Sequence, residues 1–537
     1  MRPAVIRALR NRAPLVVALL LCWARSSGAG TSVAPEAALL KPGTEALQAW
    51  RTEEARRCAE EILQKDPQSA EGLNLLAHVA FMEGDYAGCR EKLAALKRAG
   101  AQPPEELASI MEKLRPVHDA FQERETANFR FRWSNATDGI LAEYAPPALE
   151  SALAGVGRAL DYRHSGPKIV VEIYPDIQSL SVASTLSVKD IETSGAVAIC
   201  QFNRLMLASP RVFLQGYRWC DTLTHELTHY IIIKKTANRF PVWLHEGIAK
   251  RCEKLWIQGE QGPALGPLQS TLLAEALEND HFITFERMSP SLAKLDTQEE
   301  VALAFAEVES FVQFLEQLKG PAVIPELLNL VSAGSESEAA LEKLTATPFA
   351  KLQKDWLQSL RSRQLVRIPG LRLLPLKVNQ GRDNTERVSD LSGLLPEGAF
   401  RFVRLGDMLR DEGAQAAAAL EYGRAVEQAG YVSPHLYVRL ANAQIQSRDY
   451  EHAGQTLDTM SRYYPDYLPL HVALAELRLG LKDKAAAASS LEEAIRINPY
   501  DPLPHETLIG LYAESGNTQG REREERALRA IYEWLNW

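Results

Sequence analysis

A period of 34 to 35 residues in the last third of the chain constrains the fold more than any other feature. Equivalent positions of this period fall at Ala399, Pro434, Leu468 and Pro502. Each copy has a leucine at its seventh position, and most copies have small residues at the eighth and twentieth positions. Two antiparallel helices can pack closely where small residues meet, and copies of such a pair stack into a solenoid. The period therefore predicts four consecutive helix pairs.

These copies resemble tetratricopeptide repeats, and we assign them to residues 398–534. The last copy has Arg521 where the others have alanine, as expected of a polar repeat that caps a solenoid. The resemblance implies a surface that binds a protein partner or an extended protein segment.

A related pattern near the N-terminus predicts repeat-like helices over residues 36–103. Within this segment, Glu45–Lys65 is predicted to form a single helix, which would be half of a further repeat. Pro42 is expected to prevent a complete repeat there, because proline interrupts helical hydrogen bonding.

Between the two repeat regions, residues 125–362 show a different pattern. Phe129–Trp133 alternates between apolar and basic residues, and Lys168–Tyr174 is rich in branched residues, both typical of strands. From Asp221 onward the pattern is helical. Strands followed by helices favour an α+β domain over alternating βαβ units. The stretch 363–397 lacks periodicity and is rich in residues that favour turns, which predicts a linker or a strap across the surface.

The N-terminus has the features of a secretory signal peptide. Basic residues precede the apolar run Ala13–Ala24, and small residues follow up to Ala29. This run is shorter than the roughly 20 apolar residues that a membrane-spanning helix needs. We therefore expect a signal peptide at 1–29 and export to the periplasm or the extracellular space, as in a bacterium. Retention of the segment, or lipidation at Cys22 despite Leu21 before it, is the alternative that would attach the protein to a membrane.

Charge and cysteine content restrict the function further. The 537 residues carry a formal net charge of -9, whereas nucleic-acid binding favours a basic surface, so we expect no nucleic-acid partner. The cysteines lack the spacing of a zinc or redox motif. Cys220 and Cys252 flank the candidate site described next, and spacing alone leaves open whether they form a disulfide or two buried thiols.

His225, Glu226 and His229 form the pattern H-E-x-x-H in a predicted helix that begins near Asp221. Residues four apart lie on one face of a helix, so two imidazoles at this spacing can share a zinc ion. A carboxylate next to the first histidine can accept a proton from water. The pattern predicts one bound zinc ion and a hydrolytic reaction.

Such a zinc site needs a third protein ligand. In the longer pattern H-E-x-x-H-x-x-G-x-x-H it would be a third histidine, but this chain has Lys235 at that position. A glutamate on a second helix is the other solution. Pro241 is expected to open such a helix, which carries Glu246, 17 residues after His229. Glu253, about two turns further along, is an alternative ligand.

This combination resembles the gluzincin superfamily of zinc peptidases, and in particular the peptidase-MA-like domain often found beside tetratricopeptide repeats. The aminopeptidase-N-like family is a more distant relative with a similar Leu-x-Glu-Gly segment. The resemblance covers about 125–362 and is concentrated in 221–253. It implies a zincin-like domain in which Glu246 completes the ligand set of the two histidines and Glu226 is the general base.

The chain departs from this family at one position. Family members tend to have a tyrosine in a later helix, where its hydroxyl stabilises the oxyanion. Phe305 stands at that position here and cannot donate a hydrogen bond. Tyr230, His245 and His281 are nearby alternatives, and none of them is assigned. His245 is expected to point away from the metal, because adjacent helical residues diverge by about 100°.

We expect an α+β, predominantly helical fold, with a zincin-like domain flanked by all-α repeat segments. The sequence leads to two hypotheses about the function of this fold. The first is an exported zinc-dependent metallopeptidase that hydrolyses a peptide or protein substrate, with repeats that bind the substrate or a partner. The second is an interaction protein whose peptidase-like domain binds zinc but has little or no activity. The residue that favours the second hypothesis is Phe305.

Overall fold

The computed structural model describes residues 34–184, 186–257, 265–289, 291–374, 376–378, 395 and 397–535. The predicted signal peptide at 1–29 and residues 379–394 of the predicted linker lie outside these ranges. Among the described helices, none is both long and apolar enough to cross a bilayer. Cys220 and Cys252 are free thiols, so they form no disulfide.

The N-terminal segment is helical. Its helices are α1 (Ala34–Gln48), α2 (Thr52–Lys65), α3 (Ala70–Met82), α4 (Tyr86–Arg98), α5 (Glu105–Lys113) and α6 (Arg115–Asp119). The single helix predicted for Glu45–Lys65 is wrong, because the chain turns at Trp50, whose φ of 58° is left-handed. Pro42 lies inside α1 and does not prevent that helix. The packing of α1 against α2 outweighs the one backbone hydrogen bond that a proline removes.

The described residues form a five-stranded mixed sheet. Its strands are β1 (Gln122–Glu125), β2 (Phe129–Trp133), β3 (Ile169–Tyr174), β4 (Ala198–Gln201) and β5 (Arg204–Ala208). In the order β1-β2-β3-β5-β4, the three central strands are parallel and each outer strand pairs antiparallel with its neighbour. β3 and β5 are buried along their whole length, as expected for parallel strands covered on both faces. β4 lies at the edge and is half-buried.

Helices connect the strands of this sheet. α7 (Leu141–Ala159) joins β2 to β3, and α8 (Ile177–Ser184) and α9 (Val188–Ser194) lie between β3 and β4. The unit β2-α7-β3 is therefore a parallel crossover, contrary to the expectation of a domain without βαβ units. Residues 134–168 are long enough to form this crossover, which parallel pairing requires.

Helices dominate the rest of the middle region. They are α10 (Trp219–Thr236), α11 (Val242–Cys252), α12 (Pro267–Asn279), α13 (Gln298–Lys319), α14 (Val323–Ser332), α15 (Ser337–Thr345) and α16 (Phe349–Ser362). Together with the sheet, they confirm the predicted α+β, predominantly helical fold.

The C-terminal helices form consecutive pairs. They are α17 (Glu397–Asp411), α18 (Gln415–Ala429), α19 (Pro434–Gln446), α20 (Tyr450–Tyr463), α21 (Leu468–Gly480), α22 (Lys484–Ile497), α23 (Pro502–Ser515) and α24 (Thr518–Leu535). Pro434, Leu468 and Pro502, which mark the sequence period, are the first residues of α19, α21 and α23. A Cβ atom at Gly406 would lie 2.6 Å from the ring of Tyr422 in the paired helix, so this position requires a glycine.

A buried cluster joins the N-terminal helices to the sheet. The guanidinium of Arg204 on β5 lies 3.1 Å from the carboxylate of Glu172 on β3. Tyr86 on α4 donates a hydrogen bond to Glu172 and accepts one from Arg204. The ring of His118 on α6 stacks on Tyr86, with 3.5 Å between ring centroids. A buried ion pair needs such additional hydrogen bonds, so the cluster ties α4 and α6 to the sheet.

The C-terminal helices dock on the same domain just before α10. The backbone N–H of Tyr217 donates to a carbonyl at the end of α22. Arg218 lies 3.0 Å from the carboxylate of Glu493, and Tyr500 donates to Asp138 at 2.8 Å. The repeats therefore hold the start of the helix that carries the H-E-x-x-H pattern.

Acidification is expected to weaken the attachment of the N-terminal helices through His118. Burial, together with nearby Arg90 and Arg132, lowers the pKa of His118 to about 3, whereas an unfolded chain protonates histidine near pH 6.5. The contribution of neutral His118 to the free energy of unfolding is complete above about pH 6.5 and is lost as the pH falls toward 3. At about pH 5 the loss is about 2 kcal/mol. Thermal unfolding near pH 7.5 and near pH 5 measures this loss.

The variant His118→Phe is the control for this prediction. Its ring can still stack on Tyr86 but cannot be protonated, so its melting temperature is expected to fall less on acidification than that of the wild type. An equal fall in both proteins would contradict the assignment to His118.

Candidate metal centre

Helix α10 carries the H-E-x-x-H residues into the interior of the domain. It begins at Trp219 and ends where Ala237 adopts a left-handed φ of 52°. His225 and His229 lie one turn apart, with 4.7 Å between their ring centroids. The potential ligand atoms of His225, Glu226 and His229 lie within 4.8 Å of one another. One helix therefore presents two imidazoles and a carboxylate to a single point.

A second helix returns to the same point after a short turn. Pro241 is the residue before α11, and Glu246 lies in the middle of this helix. Oε2 of Glu246 is 3.1 Å from Nε2 of His225 and 3.4 Å from Nε2 of His229. Two imidazole nitrogens and one carboxylate oxygen are a ligand set of catalytic zinc sites, which leave the fourth position to water or substrate. The residues present thus fit a zinc ion.

The glycine after Glu246 allows α11 to approach α13 closely. A Cβ atom at Gly247 would lie 2.6 Å from the backbone oxygen of Val308. Because this neighbour is backbone, a larger residue would push the two helices apart and displace the Glu246 carboxylate from the histidines.

Burial and mutual charge shift the pKa values of these groups. Burial would raise the pKa of Glu246, but His229 and His225 hold it well below its ordinary value. Burial would lower the pKa of His225, but the carboxylates of Glu246 and Glu253 raise it to about 9. Burial raises the pKa of Glu226 against the opposing effect of the histidines. Glu226 is therefore a stronger base than an ordinary carboxylate, which suits proton abstraction.

Two further side chains contact the outer nitrogens of the histidines. Oε2 of Glu253 lies 3.8 Å from Nδ1 of His225, on the opposite side of the ring from Glu246. Nδ1 of His245 lies 3.4 Å from Nδ1 of His229. Glu253 therefore lies beside the ligand set and not within it. Acceptors at these outer nitrogens fix the tautomer and orientation of metal-binding histidines.

His245 contacts the outer nitrogen of His229 and not the nitrogen that faces Glu246. Although neighbouring helical residues diverge by about 100°, α11 lies alongside α10, and residues 245 and 246 contact His229 from two sides. Spacing in the sequence carries no signal for this contact, because it depends on how the two helices cross.

Phe305 on α13 lies beside the metal site. Its ring centroid is 6.0 Å from that of His225. Of the alternative donors, His245 lines the cleft in front of the site, whereas Tyr230 and His281 do not, within the part of the chain that the structure describes.

The cleft has a volume of about 2350 Å³. Its walls come from distant parts of the chain, namely residues 48–51, 198–201, 372–374, 376–377, 433–435 and 462–467. Sites for small molecules are usually about 300–1,000 Å³, so this cleft has room for a segment of a polymer.

Comparison with protein families matches part of the chain. Residues 160–362 match the Peptidase MA superfamily. The middle of the chain is therefore similar to a peptidase MA domain. No curated protein matches the sequence.

This chain is distantly similar to solved structures of helical proteins. The APC/C hetero-tetramer Cut9-Hcn1 is 12% identical with a TM-score of 0.26, over 97% of this chain and 82% of that chain. Yeast Tom70 is 13% identical with a TM-score of 0.21, over 90% of this chain and 89% of that chain. Such low TM-scores mean that neither structure superimposes on this chain as a whole.

The variant Glu253→Gln is expected to bind zinc about 10-fold more weakly than the wild type, at the lower end of the range for changes beside metal-binding histidines. The neutral amide no longer attracts the N–H at Nδ1 of His225, so the ring is oriented less firmly. Competition with a chromophoric chelator measures the affinity.

The matched control is Glu316→Gln. Glu316 on α13 pairs with Arg251 on α11 at 2.9 Å but does not contact the histidines. Equal zinc affinities of the two variants would exclude a role of Glu253 in orienting His225.

Proposed function

We propose that this chain is a zinc-dependent peptidase that hydrolyses peptide bonds. The observation that carries the proposal is the convergence of His225, His229 and Glu246 beside Glu226 in the wall of a large cleft. The match of residues 160–362 to the Peptidase MA superfamily supports the same class of reaction.

Each of these residues has a role in the proposed reaction. His225, His229 and Glu246 would hold the metal. A bound zinc ion would polarise the scissile carbonyl and lower the pKa of a water molecule. Glu226 accepts the proton of the attacking water and passes it to the leaving amine. Because the four side chains lie on two packed helices, they need little rearrangement during the reaction.

The edge strand β4 supports a peptide as the substrate. Residues 198–201 line the cleft, and the strand is the last in the sheet. The backbone N–H of Cys200 interacts with the carboxylate of Glu226, so this edge lies next to the proposed base. An extended peptide can add to such an edge through main-chain hydrogen bonds. This pairing would bring a peptide bond to Glu226.

The repeats contribute to the path of the substrate. Residues 433–435 at the start of α19 and residues 462–467 at the end of α20 line the same cleft. A peptide or protein long enough to leave the metal site on this side would contact them. In this proposal the repeats therefore bind the substrate, or a partner that delivers it.

The variant Glu226→Gln is expected to lower kcat by about 10²- to 10⁴-fold while zinc binding persists, because the amide cannot accept the proton. Cleavage of a mixed peptide library, followed by mass spectrometry, compares zinc-loaded wild type and variant. The control is Glu307→Gln, a buried glutamate on α13 that does not line the cleft among the described residues. Equal cleavage by wild type and Glu226→Gln would refute the proposal that this chain is a peptidase with Glu226 as its general base.

The same samples test the repeats. Peptide bound to zinc-loaded Glu226→Gln is expected to slow hydrogen exchange in residues 433–435 and 462–467. Unchanged hydrogen exchange in both segments would contradict the proposal that the repeats contact the substrate.

The second candidate is an interaction protein whose peptidase-like domain binds zinc with little turnover. The observation that favours it is Phe305, whose ring lies 6.0 Å from that of His225 and has no hydroxyl. In this case wild type and Glu226→Gln would be equally inactive, although both bind zinc.

We further propose that the protein is exported, on the basis of the basic and apolar residues of the segment 1–29. Expression of the full chain in a bacterium is expected to yield periplasmic protein whose N-terminus lies close to Ala29. Cytoplasmic protein that retains Met1 would contradict export, and lipid attached at Cys22 would contradict release from the membrane.

A further inference from the structure

Glu309 is a buried carboxylate in the wall of the metal cleft. It lies on α13, one helical turn after Phe305, and only 2% of its surface is exposed. Among the described residues, Glu309 accepts no hydrogen bond and makes no ion pair. A buried carboxylate without a donor is costly, and native proteins rarely retain one without a reason.

Glu307, two residues earlier on the same helix, provides a contrast. It is fully buried, and one of its oxygens accepts the backbone N–H of Ile283 at 2.9 Å. It does not line the cleft in the described part of the chain. Glu309 thus differs from Glu307 in two respects, since it reaches the cleft and has no donor.

Two of the cations that interact with Glu309 are held by other carboxylates. Lys250 lies 2.8 Å from Glu253, and Arg251 lies 2.9 Å from Glu316. Both cations interact electrostatically with Glu309, but neither forms an ion pair with it. The charge of Glu309 is therefore not neutralised by a direct partner.

A second carboxylate in the same wall, Asp221, shares a cation with Glu309. Lys254 interacts electrostatically with both Asp221 and Glu309. All of these groups line the cleft, as does the Lys250–Glu253 pair.

This cluster lies close to the reacting centre. Phe305 is adjacent to His225, and one helical turn spans about 5.4 Å. An extended peptide advances about 3.3 Å per residue. A group bound at Glu309 would therefore belong to a substrate residue near the scissile bond.

We propose that Glu309 accepts a protonated amine or guanidinium of the substrate, and so makes the enzyme selective for a positive charge near the cleaved bond. The inference deepens the proposed peptidase function and rests on it. The shared ligand chemistry has two sources, the side chain of lysine or arginine and the free α-amine of a peptide.

The protonation behaviour of Glu309 agrees with this role. Burial raises the pKa of Glu309 to about 7, and the neighbouring Lys250 only partly offsets that effect. A cation brought by the substrate would supply the missing favourable interaction with the ionised carboxylate.

The experiment measures binding and does not need turnover. The full chain, loaded with zinc and carrying Glu226→Gln, is exposed to hexapeptide libraries in which one position is lysine or norleucine and the others are mixed. Each library is used with a free and with an acetylated N-terminus, and bound peptides are quantified by mass spectrometry. We expect at least about tenfold enrichment of lysine over norleucine or of free over acetylated peptides, which identifies the source of the charge.

Glu309→Gln in the same background is expected to abolish the enrichment, whereas Glu307→Gln is expected to retain it. Glu309→Asp keeps a carboxylate and is expected to retain part of the enrichment. This variant separates loss of charge from misfolding. The inference would be overturned if the protein that carries only Glu226→Gln shows no enrichment. It would also be overturned if the added change Glu309→Gln leaves the enrichment the same. Failure of the wild type to cleave any peptide would instead refute the proposed peptidase function, whichever peptides the libraries show to be bound.

Discussion

The contact between α11 and α13 at Gly247 is the constraint on which the candidate site depends. A helix backbone occupies the space where a side chain would begin, so the separation of the two helices is fixed by main-chain atoms. Glu246 consequently faces the histidines of α10, and the same contact turns Phe305 and Glu309 toward the cleft. Protein interiors pack as densely as organic crystals, so such a contact transmits position with little slack.

A second level of organisation fixes the walls of the cleft. Solenoid repeats usually contact only their neighbours, and their stability is nearly a sum of local terms. Here the contact of Tyr500 with Asp138 and that of Arg218 with Glu493 bind the repeats to the central domain. Because the first of these contacts is buried, separating the parts would expose costly polar groups without their partners. The repeat wall is thus fixed relative to the metal site.

Local patterns in the sequence predicted the fold well where the structure depends on nearby residues. The repeat period matches the starts of α19, α21 and α23, and the spacing of His225 and His229 predicts their shared helix face. Prediction failed where distant segments decide the outcome. The turn at Trp50 depends on the packing of α1 and α2, and the crossover through α7 depends on which strands become neighbours. No signal in the sequence predicts the contact of His245 with His229, because that contact depends on the crossing of two helices, which residue spacing does not encode.

The same reasoning separates two kinds of recognition in the proposed peptidase. β4 offers main-chain hydrogen bonds, which every peptide can satisfy, so this edge can hold a substrate without selecting its sequence. α13 offers side chains in a fixed order, with an apolar ring at Phe305 and a carboxylate at Glu309 one turn further along the helix. A lysine side chain has the matching order, because its apolar stem precedes its charged end. Selectivity in this cleft would therefore arise from α13, while the edge strand supplies binding that is independent of sequence.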